Sequence, residues 1–136
     1  MATTLTSTGV TFPNSTIQIS ASKIYQVVNS TLNTVNSTTA TSPTATGLSA
    51  SITPKYNTSK ILCIYNATGQ ITATRACYWN LTRGGSALFT GSGGSVNSTG
   101  RNYSHSYVDN MTQSALGSYL DSPATTSTLT YAIYYW

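Results

Sequence analysis

Residues 60–82, KILCIYNATGQITATRACYWNLT, are the most apolar stretch of a chain otherwise dominated by Thr, Ser, Asn and Gly. Two runs, 60–65 and 70–81, flank a short polar joint, Asn66-Ala67-Thr68-Gly69. Both runs are rich in residues that suit a pleated surface, and Gly69 supplies the φ > 0 that a tight turn needs. In the first run both faces are apolar, Ile61, Cys63 and Tyr65 on one and Leu62 and Ile64 on the other. That pattern predicts a central strand buried on both sides. In the second run Ile71, Ala73, Cys77, Trp79 and Leu81 share one parity, and Thr72, Thr74, Asn80 and Thr82 share the other. This alternation predicts one wet face. The expectation is a central hairpin, turning near Gly69, in an antiparallel sheet.

Working outward, short alternating segments recur on both sides. Lys23 to Val28 (KIYQVV) reads as a strand, and Leu32 and Val35 mark a weak edge strand in a Ser/Thr/Asn tract. LSASIT at 48–53 alternates cleanly and stops at Pro54. Arg83-Gly84-Gly85 is a turn signal before a short strand at 86–90, and 91–100 is a glycine- and serine-rich loop. Residues 101–111 alternate again, 115–120 form another short strand, Asp121-Ser122-Pro123 turns, and 127–136 (STLTYAIYYW) is the last strand. No window has the period of an amphipathic helix. The expected fold is therefore an all-β antiparallel β-sandwich of about eight strands, a jelly roll fitting the count best. Residues 1–22 are too sparse in apolar side chains for a core of their own. They are expected to be an extended arm, with Leu5, Val10, Phe12, Ile17 and Ile19 as its contacts, preceding a sandwich domain at 23–136. The arm either lies on the edge of its own sheet or reaches onto a neighbouring subunit.

Composition narrows the function. The chain has 136 residues, enough for one core, yet six basic and two acidic side chains make up its whole charge. Ten Tyr and two Trp argue against disorder. The net charge of +4 is scattered singly, whereas nucleic-acid readers cluster it, so no nucleic-acid partner is expected. No run approaches a membrane span, and residues 1–22 lack the basic and apolar regions of a signal peptide. One His (His105) and two carboxylates (Asp109, Asp121) give little material for acid–base catalysis. There is no G-x-S-x-G elbow, no zinc spacing and no P-loop ending, so no enzyme, metal or cofactor is expected. A calcium site at Asp109 or Asp121 lacks the several oxygens that a hard cation wants. Cys63 and Cys77 read as plain buried residues; a hairpin turning near Thr68 sets Cys63 nearer Ala73, which disfavours a disulfide.

The asparagines carry the one chemical signal. Asn14, Asn29, Asn36, Asn57, Asn66, Asn80, Asn97, Asn102 and Asn110 each begin Asn-x-Ser/Thr; only Asn33 does not. In a chain that is about one-third Ser and Thr, chance gives this with a probability on the order of a few in ten thousand. Glycans are bulky and must reach solvent. The wet parity of Asn80, and the parity of Asn102 and Asn110 opposite Tyr103 and Tyr107, fit N-linked glycosylation.

Several strings are also familiar in order. LTSTGVTFP at 5–13 resembles the LTSTGITF-type segments of phage tail-fibre proteins. GLSASITPK at 47–55 followed by SKIL at 59–62, LTRG at 81–84, and DSPATTS at 121–127 before Thr130-Tyr131 are similar to a module near the C-terminus of such proteins. Together they cover most of the chain. The resemblance implies a jelly-roll-like virion or fibre module, commonly trimeric. The chain departs from it in lacking a long shaft or attachment domain and in its many sequons. The expected function is a structural subunit of an extracellular or virion fibre, assembling with itself by β-strand sharing through the arm. The alternative is a trimeric tail-fibre tip or capsid-surface module binding host-surface carbohydrate, with Tyr103, Tyr107, Tyr119 and Trp79 as stacking platforms.

Overall fold

The computed structural model describes residues 4–6, 9–11, 17–18, 24–71, 76–88, 101–105 and 111–136, the first three segments, 101–105, and Ile71, Ala76, Cys77, Met111 and Gln113 by backbone alone. The described chain is all-β with antiparallel pairing throughout and no helix. In the arm, β1 (Thr4–Thr6), β2 (Gly9–Thr11) and β3 (Ile17–Gln18) pair with one another, Leu5 opposite Val10 and Thr11 opposite Ile17.

Residues 24–43, the strap, come next. They form no strand, and the expected strands at 23–28 and around Leu32 and Val35 are absent from their described part. Val35 is 95 % exposed, and Ile24 and Val27 are nearly so. Local β propensity is insufficient here: among the described residues this backbone pairs with no strand.

Seven strands follow: β4 (Thr44–Ile52), β5 (Ile61–Ile71), β6 (Ala76–Arg83), β7 (Ser86–Ala87), β8 (Arg101–His105), β9 (Met111–Asp121) and β10 (Leu129–Tyr135). One sheet runs β4–β10–β6, with β7 and β8 both lying along the far side of β6. The other is a ribbon of β5 and β9, paired from Ile61↔Asp121 to Ile71↔Met111 without a register shift. The two sheets face each other across one core. The ribbon supplies Ile61 and Ala115; the larger sheet supplies Trp79, Leu81, Tyr131 and Ile133.

The expected central hairpin is therefore wrong. β5 does not turn at Gly69 and does not pair with β6; it runs straight through the polar joint and pairs with β9. The joint fits the pleat. Asn66 and Thr68 point outward, Ala67 and Gly69 inward. Gly69 is needed for close approach: a Cβ there would meet the Trp79 ring at 2.8 Å. Gly117 does the same against its cross-strand neighbour Tyr65. True turns lie at Gly84 and Gly85, where φ of +57° and +81° joins β6 to β7.

The expected burial is also inverted. Leu62 and Ile64 are exposed on the outer face of β5, so β5 is not buried on both sides. β6 is: Trp79 and Leu81 face the core, while Asn80 and Thr82, expected to be wet, are 3 % and 2 % exposed. The Thr82 hydroxyl donates to the Ala132 carbonyl at 3.1 Å. Central position decides this, since β6 has β10 on one side and β7 and β8 on the other.

β4 is an edge of different character. Opposite Ile133 it carries a bulge at Thr46-Gly47-Leu48, with Gly47 at φ +91°. The Thr46 hydroxyl donates to the Ile133 carbonyl at 2.8 Å and accepts from the Leu48 N–H at 3.1 Å. The Asn36 amide of the strap donates to the Thr46 carbonyl at 2.6 Å, which ties the strap to the bulge.

Candidate assembly surface

The two sheets are clasped at one end by ionised and hydroxyl groups. Asp121, at the end of β9, is 5 % exposed. Arg83 of β6 donates from one guanidinium nitrogen to both its carboxylate oxygens, at 2.9 and 2.7 Å. The Tyr131 hydroxyl of β10 donates to it at 2.5 Å. A buried carboxylate is tolerated only with such partners. Burial first, and then the Asp121 charge, pushes the Cys63 thiol up to about 11. Burial and the bond to Asp121 raise Tyr131 well above the usual tyrosine range. Both groups are thus held in their neutral forms, and Cys63 is a free thiol. This arrangement holds the sheets together. Its legible signal was the core parity of Ala115, Tyr119 and Asp121, an acid ending an apolar alternation. Among the described residues no three His, Cys, Asp or Glu side chains converge as for a metal, and no helix is long and apolar enough to cross a membrane.

The unusual surface lies on the ribbon. Leu62, Ile64, Leu116 and Leu120 are each more than half exposed on its outer face, Ile64 by 72 %. Leu62 and Leu120 are cross-strand partners. Along the other margin of β5 no strand is paired among the described residues. A groove of about 1300 Å³ wraps that margin. It is lined by Leu48 and Ile52 of β4, Ile61 to Asn66 of β5, and the strap from Ile24 to Ser30. The strap is pinned beside it by Tyr25, whose ring meets Tyr56 edge-on at 5.5 Å with the Lys55 ammonium 5.1 Å above.

Natural edge strands are usually blunted by charge, proline or a bulge. β4 has its bulge, with Pro43 before it and Pro54 after it. β5 has none of these over eleven residues. Sequence reasoning recognised the apolar residues here but assigned them to a core.

The sequons divide. Asn29, Asn36, Asn57 and Asn66 are exposed. Asn80 is buried, which corrects its expected place on a wet face and removes it as a glycan acceptor in the folded domain. Asn102 stands opposite Trp79 in the ladder, and Asn14, Asn97 and Asn110 lie outside the described residues. Of the arm contacts, Leu5, Val10 and Ile17 are on β1, β2 and β3, while Phe12 and Ile19 lie outside the described residues. Of the stacking candidates, Trp79 is buried and stacks on Tyr135 at 5.8 Å, Tyr119 is half-buried, Tyr103 is known by backbone only and Tyr107 lies outside. Trp79 is therefore a core residue and no sugar platform. Asp109 lies outside the described residues, and His105 is placed by backbone only, on β8.

Comparison with protein-family models, with curated proteins and with solved structures found no match.

Proposed function

We propose that this chain is a structural subunit of an extracellular or virion fibre that assembles with copies of itself by β-strand sharing, residues 1–22 of one copy adding to an open sheet edge of the next. The observation that carries this is the margin of β5: eleven residues, regular, without charge or proline, and with no strand beside it among the described residues. Main-chain donors and acceptors along such an edge are a template for an added strand. The groove between β4 and β5 receives the side chains of that strand. An offset that does not close on itself makes a filament.

The jelly-roll reading belongs to the same proposal. It is supported by the way the chain changes sheets, from β4 to β5 to β6 and again from β8 to β9 to β10, with β4, β10, β6 and β8 in one sheet and β5 and β9 in the other. N-glycans on the exposed Asn29 and Asn57 keep the surface soluble where ionic groups are few. The second reading, a trimeric tip that binds host-surface carbohydrate, draws on the exposed Tyr25 and Tyr56 beside Lys55.

Electron microscopy of the full chain and of a chain lacking residues 1–22 tests the proposal. The full chain is expected to form filaments, and the shortened one to stay folded, by circular dichroism, without them. Filaments of full length from the shortened chain refute strand sharing through the arm. Closed three-fold particles from the full chain, with glycan binding, replace it by the second reading.

A further inference from the structure

In the single chain the arm pairs with itself, and we infer that this self-pairing is a stored, inactive form of the donor segment, which must open before one copy joins another. The inference rests on the strand-sharing reading above and names the control on it.

β1, β2 and β3 form a sheet of their own, separate from both sheets of the sandwich. β1 meets β2 at Thr4↔Thr11, Leu5↔Val10 and Thr6↔Gly9. β2 meets β3 at Val10↔Gln18 and Thr11↔Ile17. β2 therefore has a strand on each side, while β1 and β3 are the edges of this small sheet.

The acceptor has a different size. β5 runs for eleven residues, and its free margin is unpaired among the described residues. No described strand of the arm exceeds three residues. Docked as it is folded, the arm covers at most three of those eleven positions, through β1. Straightened, residues 1–22 span roughly 73 Å, against roughly 36 Å for β5. The opened arm is long enough to fill the margin, and the self-paired arm is not. The two arrangements also exclude each other. Each backbone N–H and C=O of β2 that bonds to β1 or β3 is spent, and a ladder with β5 needs the same groups.

The store is shallow. Strands of two and three residues make a sheet that is marginal on its own. Addition to β5 offers the same backbone up to eleven positions. The balance therefore favours the closed arm in a lone copy and the open arm once an acceptor margin is present. The closed fraction lowers the apparent affinity of copy for copy by the same factor. Fastening the arm shut is thus expected to suppress assembly without touching the sandwich.

The test uses the full chain carrying Leu5→Cys and Val10→Cys together. Directly opposed residues of an antiparallel pair have Cα atoms about 4.5–5.5 Å apart, within the span of a disulfide, so oxidation fastens β1 to β2. Mass spectrometry verifies the bridge and circular dichroism the fold. Each single variant, with the same native Cys63 and Cys77, serves as control. Light scattering and electron microscopy are expected to show assembly of the oxidised double variant slowed roughly tenfold or more, and restored by dithiothreitol to the rate of the single variants. An oxidised double variant that assembles as fast as its reduced form overturns the inference and leaves strand sharing standing. So does failure of the two thiols to bridge, because β1 and β2 are then not partners in solution. An unsubstituted full chain that forms no assembly refutes the strand-sharing reading itself, and the inference with it.

Discussion

β5 and β6 are two strands of similar composition with opposite fates. β5 is apolar on both faces at its start, yet one face is bare. β6 alternates apolar and polar, yet both faces are covered. The difference lies in what flanks each strand. β6 has neighbours on both sides, and its Thr82 hydroxyl donates to the Ala132 carbonyl. Among the described residues β5 has one neighbour, and its outward leucine and isoleucine stay exposed. Polarity along a strand reports which surroundings a side chain tolerates. Position in the sheet decides what it receives.

The sharpest break in this comparison comes from one substitution made in both strands. Leu81→Ala removes a core side chain and is expected to cost about 3–4 kcal/mol. Leu62→Ala, the same chemistry on the open face, is expected to cost under about 1 kcal/mol. Urea unfolding at concentrations below association measures both, and equal costs would dissolve the distinction. Asp121→Asn breaks the clasp between the sheets. With Asp121 buried but Arg83 about a third exposed, the expected loss is about 2–3 kcal/mol, below that of a fully buried pair.

A pH titration examines the same clasp. Cys63 and Tyr131 both have folded pKa values above their unfolded ones, so between those values the native state holds more protons. The stability contributed by Cys63 is then fully present below pH 9 and is lost as pH rises from there through about 11, and that of Tyr131 is lost above pH 10. Melting temperatures flat across pH 8 to 11 would contradict this. The smallest effect concerns the turn after β9. Ala124 sits at φ +52°, and Ala124→Gly is expected to gain about 0.5–1 kcal/mol in the same urea assay.

Much of the strand content was readable locally. The alternation before Pro54, the Arg83-Gly84-Gly85 turn and the run ending at Trp136 correspond to β4, the β6–β7 connection and β10. Pairing was not readable, because β5 meets a strand far along the chain and no local pattern encodes that. Gly69 has the same signature whether it turns the chain or admits the Trp79 ring, and only the ring's position distinguishes them. Asn80 misled because a polar side chain on a packed face looks like one in water. The strap misled in reverse, since Ile24, Val27 and Val28 have strand-forming side chains yet pair with no strand among the described residues. The open face was visible as residues and hidden as a surface: Leu62 and Ile64 read as core, and only the placement of the second sheet shows that they stay exposed.

The ladder of β5 with β9 has a consequence for how the chain is made. When Ile61–Ile71 leaves the ribosome, its partner Met111–Asp121 begins about fifty residues later. At usual elongation rates that is roughly 3–10 s during which an uninterrupted, uncharged β segment has no companion. Nascent chains crowded on one message can cross-pair in that interval, so yield should improve when translation is slowed in initiation and not in elongation.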